Sequence, residues 1–257
     1  MTACHAAARN CYSVGPKLHM ISSSPERALS RRLEALLDLS GPSTCLADVG
    51  TDHALLPAHA VLRGLAARAI AVDVLAAPLV HARATLARLG LTERVTVVQG
   101  DGFAPLGGHA VDVAVLAGLR GRTLLAWCRR APHVVMSLRR LIVQPNGDLA
   151  DVRAWAYGEG LWLVDETITW ERGRCFVSCA FAPGRGPDPA YAGGDLSLAQ
   201  AFELGPLLVR RRAAETGELY AREAARLEKL VAVGRADLEP ELETYKRGRH
   251  LFAHPGG

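Results

Sequence analysis

The sequence has very little lysine, no long apolar run and no phosphate-binding glycine motif. Only Lys17, Lys229 and Lys246 occur, so 27 of the 30 basic residues are arginine. No uninterrupted apolar stretch approaches the ~18 residues of a membrane-spanning helix. His5, Arg9 and Lys17 break any signal-peptide core in residues 1–24. The expectation is a soluble, cytoplasmic protein with no membrane association. Neither G-x-G-x-x-G nor G-x-x-x-x-G-K-[ST] is present, which leaves pyrophosphate and triphosphate cradles without support. The six cysteines form no C-x-x-C pair and have no histidines at zinc-finger spacing, so they read as buried thiols and no metal site is expected.

What is present is a globular composition, 49% hydrophobic and 22% charged with a net charge of +4, which excludes a disordered or collagen-like chain. At about 100–200 residues per domain, the length suits one large domain or one domain with an appendage. The mild basic excess is compatible with a nucleic-acid partner without requiring one.

From residue 45 short β-type runs alternate with helical stretches. Strands are expected at 45–50, 69–73, 95–99, 111–116 and 141–143, with helices at 53–63 and 78–89; Pro57 must sit in the first turn of its helix or kink it. Near-continuous apolar strands alternating with helices imply a parallel sheet covered on both faces, an α/β fold. The runs 161–170 and 174–182, separated by Glu171-Arg172-Gly173, read as an antiparallel hairpin added to that sheet. Residues 183–196 are rich in Pro and Gly and read as a linker. Residues 198–233 read as helical, and the first 24 and last 15 or so residues show no strong periodicity.

In open parallel sheets ligands bind at the carboxyl ends of the strands. Strand one ends Asp48-Val49-Gly50-Thr51-Asp52-His53, strand two at Asp73 and strand three at Gly100-Asp101-Gly102. An acid at the second position is suited to ribose hydroxyls, and one at the third to an exocyclic amine such as adenine N6. Each also has a plainer reading: Asp48 and Asp73 as caps, Asp101 as a turn former. Together they favour a nucleoside without phosphates, and S-adenosylmethionine is the obvious candidate. His53 is either a hydrogen-bonded turn residue or a proton carrier. Gln144 and Asn146 either cap the next helix or read a base edge. Arg120, Arg122, Arg129, Arg130, Arg139 and Arg140 are either scattered solvated residues or a phosphate-contacting rim. The four tryptophans read as packing residues.

LADVGTDHALLP, VVQGDG and the QPN of LIVQPNGDLADVRAW resemble the bacterial tRNA (adenine-22-N1)-methyltransferase family, often called TrmK, as do the LSRRL, ETITWERGRCFVS and GPLLVRRR segments; the resemblance covers residues 27–235. It implies a Rossmann-like class I methyltransferase sheet with a terminal antiparallel hairpin, plus a small C-terminal helical appendage that helps to hold tRNA. The implied boundaries are a loosely ordered extension over 1–24, a methyltransferase domain over 25–183 and a coiled-coil-like appendage over 197–240. Asp48, Gly50, Thr51, Asp52, His53, Asp73, Val74, Asp101, Gly102, Ala117 and Gly118 are implied at the cofactor, S-adenosyl-L-methionine. Gln144, Pro145 and Asn146 are implied at the reacting base. Asp52 is the candidate carboxylate to offset the positive charge that develops on the purine, and Arg120, Arg122, Arg210 and Arg211 are candidate RNA contacts, the Arg210-Arg211-Arg212 run reading otherwise as a solvated face. The expected partner is tRNA, with the enzyme a monomer and no protein partner evident. Where the family has GMGG, this chain has Gly118-Leu119-Arg120-Gly121. An arginine at that mouth leaves open a methyltransferase with another RNA position or substrate, or a catalytically silent RNA-binding relative.

Overall fold

The computed structural model describes residues 29–253 except 195. The expected extension over 1–24 therefore lies outside the described residues. Seven strands form one sheet in the order β3-β2-β1-β4-β5-β7-β6. The strands β1 (Ser43–Val49), β2 (Ala66–Asp73), β3 (Val95–Gln99), β4 (Val113–Ala117) and β5 (Arg140–Gln144) run parallel. The hairpin of β6 (Leu161–Glu171) and β7 (Arg174–Pro183) joins through β7, antiparallel to β5. All seven expected strands are present to within a few residues.

The apolar runs are continuous because alternate residues feed two cores. On one face, Ala47, Val49, Ala114, Leu116, Leu141 and Val143 pack with α4 (Gly121–Arg130), α5 (Pro132–Ser137) and α6 (Leu149–Gly158). On the other, Leu46, Ala69, Ala71, Val113, Val115 and Ile142 pack with α1 (Arg31–Ser40), α2 (Leu55–Leu62) and α3 (Ala76–Arg88). Helix α2 starts at Leu55, which puts Pro57 in the first turn, where its missing N–H costs no helical bond.

The C-terminal region differs from expectation in three ways. The single helical run over 198–233 is broken into α7 (Leu198–Leu204), α8 (Pro206–Arg211) and α9 (Ala214–Ala232). The region expected to be loose contains α10 (Glu239–Ala253), so the appendage runs past 240; Leu242 packs with Ala224 and Leu227 of α9. The 183–196 segment is not a free linker either. Asp188 is buried and accepts from the amides of Leu163 (2.7 Å) and Ala190 (2.8 Å), and Tyr191 packs edge-on against Tyr157 and Phe202.

One ion pair fastens the appendage to the sheet domain. Arg153 of α6 and Glu166 of β6 are 1% and 0% exposed, with Nε to Oε1 at 2.7 Å. Arg153 Nη1 also donates to the carbonyls of Phe202 (2.7 Å) and Glu203 (3.1 Å) at the end of α7. Glu166 Oε2 accepts from the amides of Leu207 (3.1 Å) and Leu208 (3.3 Å) at the start of α8, where unpaired N–H groups favour an anion. Gly205 between these helices has φ 85°, and a Cβ there would meet Arg153 Nη2 at 2.6 Å. Removing one partner strands the other as a buried charge. Arg153→Met is expected to lower the unfolding free energy by about 3–5 kcal/mol, read from urea denaturation; a loss within 1 kcal/mol would contradict a closed, dry joint.

Candidate active site

β1 ends in the middle of the sheet between β2 and β4, where the strand order reverses. Chains leaving there diverge and open a crevice. Gly50 makes the turn at φ 89°, and the amides of Gly50 and Thr51 both donate to Val72 O, at 2.8 and 2.9 Å. The neighbouring edge is built from the ends of β4 and β5. Gly118, at φ 76°, donates to Gln144 O at 3.0 Å, and Asn146 returns Nδ2 to Gly118 O at 2.7 Å and its own amide to Leu119 O at 2.7 Å.

Between them lies a cavity of about 580 Å³. Asp48, Gly50, Thr51, Asp52, His53, Ala117, Gly118 and Asn146 line it, so the structure brings these expected residues together. Asp48 is buried, and burial pushes its carboxyl up to about 6; the Thr51 hydroxyl and the Arg32 guanidinium act the other way, and Asp73 adds to the rise. The buried Thr51 hydroxyl lies near enough to Asp48 to favour its ionised form, yet Oγ1 closes no hydrogen bond of good geometry. Asp52 and His53 are open to solvent and pair at 3.3 Å, with the His53 ring 5.3 Å from that of His81.

Other expected residues sit elsewhere. Asp73 caps the turn after β2, accepting from Leu75 N at 2.8 Å, with Val74 exposed beside it. Asp101 lies beside a second cavity of about 240 Å³ lined also by Phe103 and Trp127, and it is ion-paired with Arg130 at 2.7 Å. A Cβ on Gly102 would meet Trp127 at 2.6 Å. Gln144 is a correction: it is fully buried, accepting from Arg32 Nη1 at 3.3 Å and donating to Ser178 Oγ at 2.6 Å, so neither end of its amide is free to read a base. Pro145, half-buried, does not line the cavity. Neither Gln144 nor Asn146 caps α6, whose N-cap is Asp148.

The arginine rim is also corrected. Arg139 and Arg140 stand at the amino end of β5, donating to Pro42 O (2.5 Å) and Leu39 O (2.7 Å), away from the strand ends that form the cavity. Arg210 donates to the carbonyls of Pro189, Ala190 and Ala192, and Arg211 to Glu166 O and Asp165, so both have internal partners. Arg120 and Arg122 are exposed, their side chains make no hydrogen bond or ion pair among the described residues, and neither lines the cavity. Gly121 is the position that needs glycine here, since its Cβ would lie 2.7 Å from Asp148. Arg120 has an ordinary φ of −69°, so the side chain is accommodated without strain.

Eight cavity residues were not expected as site residues from the sequence: Arg32 and Leu33 on α1, Leu55 and Leu56 on α2, and Glu171, Arg172, Arg174 and Phe176 on the hairpin. Arg32 ties α1 to the site, its amide donating to Glu171 Oε2 at 3.2 Å and its guanidinium lying 5.3 Å from the centre of the Phe176 ring. The available signal was three charged residues in Glu171-Arg172-Gly173-Arg174, unusual for a two-residue turn.

A family model described as a methyltransferase domain matches residues 29–178. A curated Bacillus subtilis protein, tRNA (adenine(22)-N(1))-methyltransferase, is 34% identical over 188 residues, covering 73% of this chain and 77% of its own. The chain belongs to this methyltransferase family. Among solved structures, that of the B. subtilis m1A22 tRNA methyltransferase TrmK superposes with a TM-score of 0.76 at 27% identity, covering 88% of this chain and 98% of that one. Streptococcus pneumoniae Sp1610, solved in complex with S-adenosyl-L-methionine, gives a TM-score of 0.78 at 28% identity over 87% of this chain and 100% of that one.

The buried acid of this methyltransferase makes its stability depend on pH. Because burial raises Asp48 from its ordinary 3.8 to about 6, the folded state holds that proton more tightly than the unfolded chain. The stabilisation is complete below about 3.8 and is lost as pH rises through about 6, where the ionised buried carboxylate costs about 2–3 kcal/mol. Asp48→Asn is expected to raise the unfolding free energy at pH 7.5 by that order and to flatten its fall between pH 4 and 6.5, measured by urea titration. Parallel pH curves for the two proteins would show that Asp48 is not the group responsible.

Proposed function

We propose that this chain is an S-adenosylmethionine-dependent tRNA methyltransferase that modifies N1 of adenine 22. The observation that carries the reading is the cavity at the strand-order reversal, which collects a buried acid, an unpartnered hydroxyl and a braced asparagine. The cofactor fits the residues present. Asp48 is a carboxylate that a cationic ligand would help to ionise, Thr51 Oγ1 is a buried group in need of a partner, and no phosphate cradle is required. Asp48, Gly50, Thr51, His53, Ala117 and Gly118 would hold the cofactor around the turn, with Asp73 and Val74 toward its ribose and Asp101 and Gly102 toward its adenine. For Asp101 that role competes with its ion pair to Arg130. When bound, S-adenosylmethionine supplies an electrophilic methyl group.

The chain's own task is mainly positional. Adenine N1 carries a free lone pair at neutral pH, so no general base is needed, and alignment in a water-poor pocket supplies about 7–11 kcal/mol in well-oriented cases. With Nδ2 held by Gly118 O, Asn146 has Oδ1 left to accept from the exocyclic amine beside N1, which fixes the ring. Asp52, an open carboxylate that pairs with His53 at the cavity, would offset the charge that develops on the purine, an effect that strengthens when bound RNA excludes water from it. Since N1 lies on the Watson–Crick edge, the adenine must leave its pair and stack, at a cost of a few kcal/mol. The state proposed for acting on tRNA is a monomeric, cytoplasmic enzyme. Among the described residues no helix is long and apolar enough to cross a membrane.

The silent-relative reading rested on Arg120 crowding the base pocket, and that side chain is exposed and outside the cavity. Label from S-adenosylmethionine is expected on an unmodified transcript with adenine 22 and not on one with guanine there; equal label on both would discard the assigned position. Asn146→Ala should lower kcat/KM by about a hundredfold, the scale of an ångström of misplacement. Arg120→Gly should give no gain in kcat; a large gain would return that arginine to the pocket.

A further inference from the structure

The turn of the hairpin holds a residue that the local geometry disfavours. Glu171 and Arg174 are the last paired residues, so Arg172 and Gly173 alone form the loop, both at positive φ (51° and 74°). That is the pattern of a type I′ turn, whose first central position favours Asn, Asp or Gly. Arginine there is strained, and its side chain makes no hydrogen bond or salt bridge among the described residues; it acts internally only as one of the charges that hold the neighbouring Glu171 carboxyl below its usual range. Its side chain nonetheless lines the cavity.

The charges around that cavity are largely sorted. The acids Asp48 and Asp52 belong to the turn after β1, while Arg32, Arg172 and Arg174 approach from α1 and the hairpin, with Glu171 among them accepting from the Arg32 amide. Arg32 and Arg174 each hold their guanidinium carbon 5.3 Å from the Phe176 ring centre, which restrains two planar cations at the cavity wall. Arg32 is further engaged by Gln144, leaving Arg172 and Arg174 as the cations with donors to spare. We propose that Arg172 and Arg174 bind the phosphodiester next to the target nucleotide and hold the strand while its base is turned into the cavity. The inference rests on the reading of this site as a tRNA methyltransferase. Extruding a nucleotide rotates its backbone at the cavity mouth, and the guanidinium fork matches phosphate oxygens in pairs. Such contacts position the strand without reading sequence.

The test separates stability from binding, because asparagine suits the turn better than arginine. Arg172→Asn should keep or raise the melting temperature and leave S-adenosylmethionine affinity, measured calorimetrically, as in the wild type. The KM for tRNA should rise about tenfold, with kcat lowered less than threefold. In fluorescence anisotropy with labelled unmodified tRNA, the slope of log affinity against log salt should fall by about 1. Arg174→Gln should behave similarly, and Arg172→Lys should restore the slope. A wild-type KM or salt slope in Arg172→Asn overturns the proposal. If the wild-type enzyme labels adenine 22 and the variant matches it, this inference alone fails; if the wild type neither binds nor labels tRNA, both it and the underlying reading fail.

Discussion

Arg153 and Glu166 are opposite charges almost wholly removed from water, and a buried pair is tolerated only when its remaining donors and acceptors find partners. That requirement dictates much of the molecule around them. The guanidinium takes up the terminal carbonyls of α7, and the carboxylate takes up the first amides of α8. The chain between the helices must pass so close that position 205 has no room for a side chain. The appendage is thus fixed to α6 and β6 by its own helix ends, the groups that would otherwise be left without partners. Tyr220 strengthens the same joint, its buried hydroxyl donating to Leu204 O at 2.7 Å, so α9 is carried with α7.

A second chain of contacts runs from the hairpin into the active site. Ser178 on β7 accepts from Gln144 at the end of β5, Gln144 accepts from Arg32 on α1, and Arg32 lies beside both Phe176 and the acid Asp48. The antiparallel pair at the sheet edge is therefore more than a terminus of the fold. It supplies one wall of the cavity and braces, through a fully buried amide, the cation that faces the buried acid. Gln144 contributes to the site by holding Arg32, although its place at a strand end beside Pro145 and Asn146 reads equally well as contact with a base.

The parallel sheet was legible because burial on both faces forces near-continuous apolar runs, and runs such as 95–99 have almost no other interpretation. The carboxyl end of β1 was legible for a related reason: a glycine at a strand end among acids is where backbone turns and ligands meet, whereas Gly118 at the end of β4 stood out only through the family resemblance. The helix over 239–253 was not legible, because the packing of Leu242 against Ala224 and Leu227 is a contact rather than a periodicity. The break at Gly205-Pro206 has a local signal in the proline that opens α8, but the buried ion pair that fills the space beside Gly205 has none. The Pro- and Gly-rich stretch over 183–196 has the composition of a linker, yet Asp188, Tyr191 and Arg210 tie it down through partners far away in the chain.

Arginine has the same appearance in a sequence whether it serves a substrate or its own fold, since charge and length are local properties and the partner is not. From residue order alone came the strand pattern, the strand-end acids and glycines, the hairpin and the family. Only the tertiary structure decided how each arginine is used. Arg139, Arg140, Arg210 and Arg211 are engaged by carbonyls and carboxylates of their own chain, Arg153 is buried in the joint, and Arg120 stays outside the cavity. Arg32 and Arg174 flank one phenylalanine, and Arg172 lines the same cavity, because α1 and the hairpin, more than a hundred residues apart, meet across the ends of the sheet.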